Sequence, residues 1–392
     1  MSDSVYIVSG ARTPMGGMLG SLSSLTAVEL GTTAITAAVK RANIDTAKID
    51  DVIMGCVLPA GLKQGPARQA AIGAGIPEST GAVTINKLCG SGMQATIYAH
   101  DQIKAGSCDI IVAGGMESMT NAPHLVLNAR KGVGTGGKGF EDHMFFDGLQ
   151  DAYSGRMMGS FAQQTADENN FTREEMDAYA IESTNRACNA IKNGYLTAET
   201  APVTVKSRKG ETIVSDDEQP LKASLEKIPT LRPAFAKDGT ITAANASSIS
   251  DGASAMVLMN EKALKDTGAT PQARIIAHSR QSMAPDLFTV APVGAMQKLL
   301  AKTGWTKDDV DLWEINEAFA MVTMLAIREL DIDHAKVNVH GGACAQGHPV
   351  GSTGSRIIIS LVHALQQYGK KRGIASLCIG GGEALAVAIE LI

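Results

Sequence analysis

The chain has 392 residues, with 35 Lys and Arg against 40 Asp and Glu, 44% hydrophobic and 19% charged residues, and a net charge of −5. These are the proportions of a globular protein with a sizeable core, in two or three units at the usual ~100–200 residues each. No long run of one sign and no apolar stretch of the ~20 residues that span a bilayer occur, which excludes general nucleic-acid binding, a membrane-surface role and a transmembrane anchor.

Met1-Ser2-Asp3-Ser4 lacks the basic and long apolar regions of a secretory signal. Residues 5–9 are expected to form the first strand. A capping box of Thr26 and Glu29 opens a helix over 26–40. Strands are expected at 52–58 and 82–86, a helix at 90–104, and a strand at 110–113 ending in Gly114-Gly115. Residues 120–245 are longer in their segments, more polar and less regular, and read as an insertion whose loops carry ligand contacts. Within it, Thr172 and Glu175 cap a helix towards Lys192, and 201–214 reads as a hairpin turning at Lys209-Gly210. Strands then follow at 255–259, 274–278, 311–314, 374–379 and 385–391, with helices at 293–302, 317–330 and 351–367. Alternation of short apolar runs with helical patterns signals an α/β protein. The final Glu390-Leu391-Ile392 is not a peroxisomal tripeptide.

Two stretches echo each other. Cys89 precedes Gly90-Ser91-Gly92, a helix and Ile111-Val112-Ala113-Gly114-Gly115. His348 precedes Gly351-Ser352-Thr353-Gly354, a helix and Leu377-Cys378-Ile379-Gly380-Gly381. A duplication would aim both helix N-termini at one centre. The six cysteines, Cys56, Cys89, Cys108, Cys188, Cys344 and Cys378, are scattered without a C-x-x-C pair. They read as reduced thiols of a cytoplasmic protein.

Three segments carry chemistry. Cys89 stands just before a helix, whose N-terminus favours a thiolate by ~0.3–1 kcal/mol at exposed sites. With an imidazole nearby it suits a nucleophile; the competing reading is a buried structural thiol. His348, beside glycines and Pro349, is a candidate base or a loop histidine. Cys378 ends an apolar strand at a triple glycine, as a second acid/base or a core thiol. Asn316 either caps the helix at 317–330 or orients a water in an oxyanion hole. His340, Cys344 and His348 recur every four residues, but the helix such a metal site needs is opposed by Gly341-Gly342 and Gly347. Gly132–Lys138 fits the start of a phosphate-binding loop, yet Gly139 replaces its Ser or Thr and no strand precedes it.

Taken together, the chain resembles the thiolase family. The match runs nearly end to end from Ala11-Arg12-Thr13-Pro14, and rests on the motifs around Cys89, Asn316-Glu317-Ala318-Phe319-Ala320, Gly347-His348-Pro349 and Cys378. The resemblance implies a duplicated five-layer αβαβα thiolase fold. Residues 1–119, with 246–270 returning, and 271–392 would be its halves, and 120–245 a loop domain covering coenzyme A (CoA). It implies a reversible Claisen condensation of two acetyl-CoA to acetoacetyl-CoA plus CoA, with CoA as substrate and product and no metal or other cofactor. Cys89 would be acylated and His348 would activate it. Cys378 would move the alpha proton. Asn316 with His348, and the N–H groups of Cys89 and Gly380, would form two oxyanion holes. Ser247 and Ala246 would face the pantetheine arm, and Met157, Phe235, Ala318 and Phe319 would form an apolar lining. Relatives form dimers or tetramers, so a homotetramer is expected. Arg156, Pro220, Glu383-Ala384 and Thr289–Pro292 depart from the family's usual residues, with Lys222 or Arg208 as substitutes for an Arg near 220. The alternatives are a 3-oxoacyl-CoA thiolase of broader or longer chain preference, a condensing enzyme acting on carrier protein, and a non-catalytic acyl-CoA binder.

Overall fold

Two-residue alternation decides the layering. The computed structural model describes residues 4–133, 139–208 and 210–392. Its main strands are β1 (Val5–Arg12), β2 (Asp51–Gly55), β3 (Gly81–Ile85), β4 (Ile110–Ser118), β5 (Ser250–Asn260), β6 (Ala273–Ser282), β7 (Leu312–Ile315), β8 (Arg372–Ile379) and β9 (Glu383–Leu391). The main helices are α1 (Ala27–Ala42), α2 (Pro66–Gly73), α3 (Ser91–Lys104), α4 (Met158–Glu168), α5 (Arg173–Lys192), α6 (Ala291–Thr303), α7 (Ala320–Leu330) and α8 (Val350–Gln367). On β4, Ile111 and Ala113 pack towards α3 and α8, while Ile110 and Val112 pack towards α1 and α2. On β8 and β9, Ala375, Leu377, Leu385 and Val387 join the same central cluster as Ile111, while Ile374, Ala384, Ala386 and Ala388 join Met296 and Leu299 of α6. The order is therefore outer helices, sheet, central helices, sheet, outer helices.

Strand order repeats about a seam. The sheet runs β7-β8-β9-β6-β1-β5-β4-β2-β3, with Gly16–Gly17 added on β5. β1 and β6 meet antiparallel over only Val5–Ile7 and Ala273–Ile275. Moving outward, β1-β5-β4 and β6-β9-β8 are each antiparallel, and β4-β2 and β8-β7 are each parallel. α3 leads into β4 as α8 leads into β8. This is the duplication that the echoed sequence implied, in the five-layer αβαβα order expected of it. Both capping boxes form, Thr26 with Glu29 and Thr172 with Glu175.

Three expectations are corrected. β4 does not stop at Gly114-Gly115 but runs through them to Ser118. The glycines serve close approach: a Cβ on Gly114 would lie 2.1 Å from the Ser254 carbonyl oxygen, and one on Gly115 1.9 Å from that of Gly351. Gly115→Ala should therefore push α8 off the strand and lower stability by at least the about 1–3 kcal/mol of overpacking, read from urea unfolding. The helix expected at 317–330 begins at Ala320, so Asn316 is not its cap. The middle block carries α4 and a π turn at Met144–Leu149, neither of which was expected. The hairpin pairs Val203–Ser207 with Gly210–Val214. Its expected tip at Lys209 and the phosphate-loop-like residues 134–138 lie outside the described residues, as do residues 1–3. No helix among the described residues is long and apolar enough to cross a membrane.

Candidate active site

Cys89 is presented by a tight turn. Leu88 has a φ of +47°, a left-handed conformation that costs a non-glycine residue about 1–3 kcal/mol. Short-range hydrogen bonds hold it there. The Leu88 N–H donates to Asn86 Oδ1 (2.9 Å), the Lys87 N–H donates to Ser91 Oγ (2.8 Å), and Ser91 Oγ donates to the Leu88 carbonyl (2.7 Å). Lys87 Nζ pairs with Glu383 Oε2 at 2.5 Å, fastening this turn to the triple-glycine turn of the other half. Gly92 and Gly354 let the starts of α3 and α8 touch backbone to backbone: a Cβ on either would lie within 2.7 Å of the facing N atom, of Ser355 and Met93 respectively.

His348 meets Cys89 from the second half. It is 6% exposed. Its Nδ1 lies 2.6 Å from Thr353 Oγ1, and that hydroxyl donates its single proton to the Pro349 carbonyl at 3.0 Å. The hydroxyl must then accept from Nδ1–H, so the neutral ring keeps its lone pair on Nε2. Nε2 is buried with no protein partner. The start of α8 is fixed by Glu117, a fully buried carboxylate that accepts N–H bonds from Val57 (2.9 Å), Leu58 (3.0 Å) and Gly351 (2.9 Å).

Cys89, His348 and Gly380 open into one cavity of about 480 Å³. Its walls include Met157, Phe235, Ala246, Ser247, Ala318 and Phe319, all expected from the sequence. Met18, Met119, Phe145, Leu149 and Phe288 add to the apolar lining and were not expected. Cys378 lies behind the wall, fully buried in the cluster of Phe319, Ala318 and Phe288. Asn316 also lies off the wall. It is 1% exposed, and neither atom of its amide finds a protein partner, which a buried polar group tolerates only where it holds a water or ligand.

Burial governs the titrations. It pushes the Cys89 thiol up to about 11, against the opposing pull of the Gly380 N–H and its own N–H, both directed at the sulfur. It pushes the His348 imidazole down to about 3, with the charge of Arg356 acting in the same direction. Cys378 is raised well above the thiol range by burial and then by the nearness of Cys89. The expected preference of a helix N-terminus for thiolate is thus outweighed, and the resting pair is thiol and neutral imidazole. Because the folded thiol titrates above its free value, iodoacetamide alkylation of Cys89 should keep rising with pH beyond the ~8.5 of a free thiol. A plateau below that pH would mean a preformed thiolate.

The loops walling the cavity are bracketed by α5, through residues the sequence did not single out. Asp177 pairs with Arg173 at 2.6 Å and accepts from Asn245 Nδ2 at 2.9 Å. Arg173 donates to the carbonyls of Ile228 and Leu231, just before Ala234 and Phe235. Asn245 fixes the turn that carries Ala246 and Ser247: its Oδ1 accepts the Thr242 N–H at 2.8 Å, and its carbonyl accepts the Ala320 N–H at 2.8 Å. Glu317 anchors the facing loop, accepting from Tyr179, Ser183, Asn338 and the Cys344 N–H. Asn245→Ala should leave Asp177 short of a partner and cost about 1–3 kcal/mol of stability, read from urea unfolding.

Other candidates disperse. His340 packs on Tyr195 and Tyr368, and the Cys344 sulfur contacts the Glu317 carbonyl, so neither joins His348 in a metal-ligand cluster. Lys222 is paired with Glu218, and Arg208 is exposed at the hairpin. Arg156 lies 4.4 Å above the Phe161 ring. All six cysteines are unpaired.

Comparison with known proteins identifies the family. Models of the thiolase N-terminal and C-terminal domains match residues 5–262 and 269–391. An acetyl-CoA acetyltransferase of Yarrowia lipolytica is 45% identical over 390 residues, covering 100% of this chain and 97% of its own. The crystal structure of a thiolase from Ascaris suum in complex with coenzyme A superposes with a TM-score of 0.94 at 42% identity, covering 99% of this chain and all of that one. That of the Bacillus anthracis acetyl-CoA acetyltransferase gives 0.96 at 39% identity, covering 99% of each chain. With both domain models matched almost throughout, and with the duplicated halves meeting at one cavity, the chain belongs to the thiolase family.

Proposed function

We infer that this chain is an acetyl-CoA acetyltransferase, condensing two acetyl-CoA to acetoacetyl-CoA and CoA and cleaving acetoacetyl-CoA in reverse. The observation that carries the reading is the single cavity in which Cys89, His348 and the Gly380 N–H face one another below an apolar channel. Such a channel suits an acyl-pantetheine arm.

The proposed roles are those the family resemblance implies, and the geometry is compatible with them. Cys89 Sγ attacks the thioester carbonyl while His348 Nε2, the free lone pair, takes its proton. CoA leaves as a thiol, and the acetyl group stays on Cys89. Its carbonyl oxygen is held by the Gly380 and Cys89 N–H groups, which already aim at the sulfur. Cys378 first passes its own proton to His348 Nε2, and its thiolate, a strong proton acceptor because burial raises its pKa, then removes the alpha proton of the second acetyl-CoA. The oxygen of that thioester is held by the Nε2–H that His348 then carries and by a water on the orphaned Asn316 amide. The carbanion attacks acetyl-Cys89 and expels the Cys89 sulfur, which takes its proton back from His348 as acetoacetyl-CoA departs. Ser247 and Ala246, with Met157, Phe235, Ala318 and Phe319, guide the arm. CoA enters and leaves as substrate, and the reaction draws on no metal or other cofactor.

Residues 120–245 would cover CoA between the halves at 1–119 with 246–270 and at 271–392. A homotetramer is proposed on the exposed Val126, Leu127, Val133 and Phe140 of the inserted block, and is checked by light scattering. A cytoplasmic setting fits the six free thiols. Cleavage of short, 2-methyl-branched and longer 3-oxoacyl-CoA thioesters tests the substrate reading: acetoacetyl-CoA should give the highest kcat/KM, and a maximum at a longer chain would replace it with the broader thiolase.

A further inference from the structure

A second cluster, none of which lines the cavity, lies towards the far end of α3. His100 and Asp101 are neighbours on α3, and His278 faces them from β6. Asp101 Oδ1 is 2.8 Å from His100 Nδ1 and 2.9 Å from His278 Nε2. The two rings meet edge to face at 5.1 Å, and the three potential ligand atoms lie within 4.8 Å of one another. The side chains are 9%, 54% and 20% exposed for His100, Asp101 and His278. The cluster is thus walled on the imidazole side and open to water on the carboxylate side.

Two imidazoles and one carboxylate are a donor set for zinc and its neighbours, with a water as fourth ligand. The positive charges beside the cluster are Lys104, one turn along α3, and Lys302, whose Nζ donates to the His278 carbonyl at 3.1 Å; both oppose a cation and set a modest affinity.

We propose that His100, Asp101 and His278 form a binding site for a transition-metal dication of the zinc class. The ion would replace the two N–H···O hydrogen bonds by coordination. Each neutral imidazole then carries its proton on the opposite nitrogen, so no net proton and no electron are exchanged. α3 belongs to the first half and β6 to the second. A bound ion would clip the halves together and raise stability, while the chemistry at Cys89 proceeds without it.

The test is titration of the full-length protein with cobalt(II) chloride, followed by visible absorption, and with zinc chloride, followed by calorimetry and thermal unfolding. The active-site thiols could bind the same ions, so wild type is compared with Cys89→Ser, His278→Ala and Asp101→Asn. The proposal expects cobalt d–d bands without a thiolate charge-transfer band. It also expects binding and a zinc-raised Tm in wild type and Cys89→Ser, with both lost in His278→Ala and Asp101→Asn at unchanged turnover. Binding retained in both cluster variants, binding lost in Cys89→Ser, or no binding by wild type would overturn it.

Discussion

Cys89→Ala should lose acetyl transfer from acetyl-CoA in both directions, by on the order of 10⁴-fold or more. Among the described residues, Cys89 is the cysteine that lines the cavity. With the sulfur gone, the His348 lone pair has no thiol to activate and the two N–H groups have no acyl oxygen to hold. Water is a poor replacement in an apolar channel. The substitution removes one partly buried atom and leaves the Leu88 turn intact, because that turn is held by Asn86 and Ser91. Circular dichroism and the thermal midpoint should stay near wild type while CoA release from acetyl-CoA vanishes. Turnover above a hundredth of wild type would remove Cys89 from its role.

Cys378→Ala should divide the reaction in two. The first half-reaction, acetylation of Cys89 with release of one CoA, needs Cys89, His348 and the N–H groups of Cys89 and Gly380. It should stay within about 10-fold of wild type. Condensation needs a base at the alpha carbon and should fall by about 10²–10⁴-fold, the usual contribution of a positioned acid/base. The variant would therefore exchange labelled CoA with acetyl-CoA yet form almost no acetoacetyl-CoA. The sulfur is fully buried among Phe319, Ala318 and Phe288, so its loss also leaves a small void worth about 1 kcal/mol. A uniform loss of both half-reactions would instead point to collapse of that void into the Cys89 pocket.

Much of this was legible in the sequence because the chemistry stands beside glycines. Gly90, Gly92, Gly347 and Gly351 marked where side chains are excluded around Cys89 and His348, and the echo of two glycine-rich turns foretold the duplicated sheet. Apolar runs located β8 and β9 to within two residues at each end. The same punctuation misled at Gly114-Gly115, where glycine serves close packing against the Gly351 carbonyl rather than ending a strand. Asn316 read as either a helix cap or a water-orienting amide; the helix begins only at Ala320, and the amide is left without a protein partner. Glu117 and the Asp177–Asn245 bracket were missed because their partners lie on other elements, which local periodicity does not encode; Thr353, whose partners His348 and Pro349 are local, was passed over as part of a glycine-rich turn. Glu117 did leave one signal, a lone carboxylate in the apolar run of residues 110–119. The upward shift of the Cys89 thiol could not be read either, since it follows from burial by residues of both halves.

The central claim is that the acyl group rests on the sulfur of Cys89, where both halves converge. Peptide mapping by mass spectrometry after rapid acid quench with radiolabelled acetyl-CoA tests it most directly. The account predicts a single acetyl label on the peptide carrying Cys89, released on adding CoA. Label on the peptide of Cys378 or Cys344 instead, or turnover with no labelled peptide at all, would contradict it.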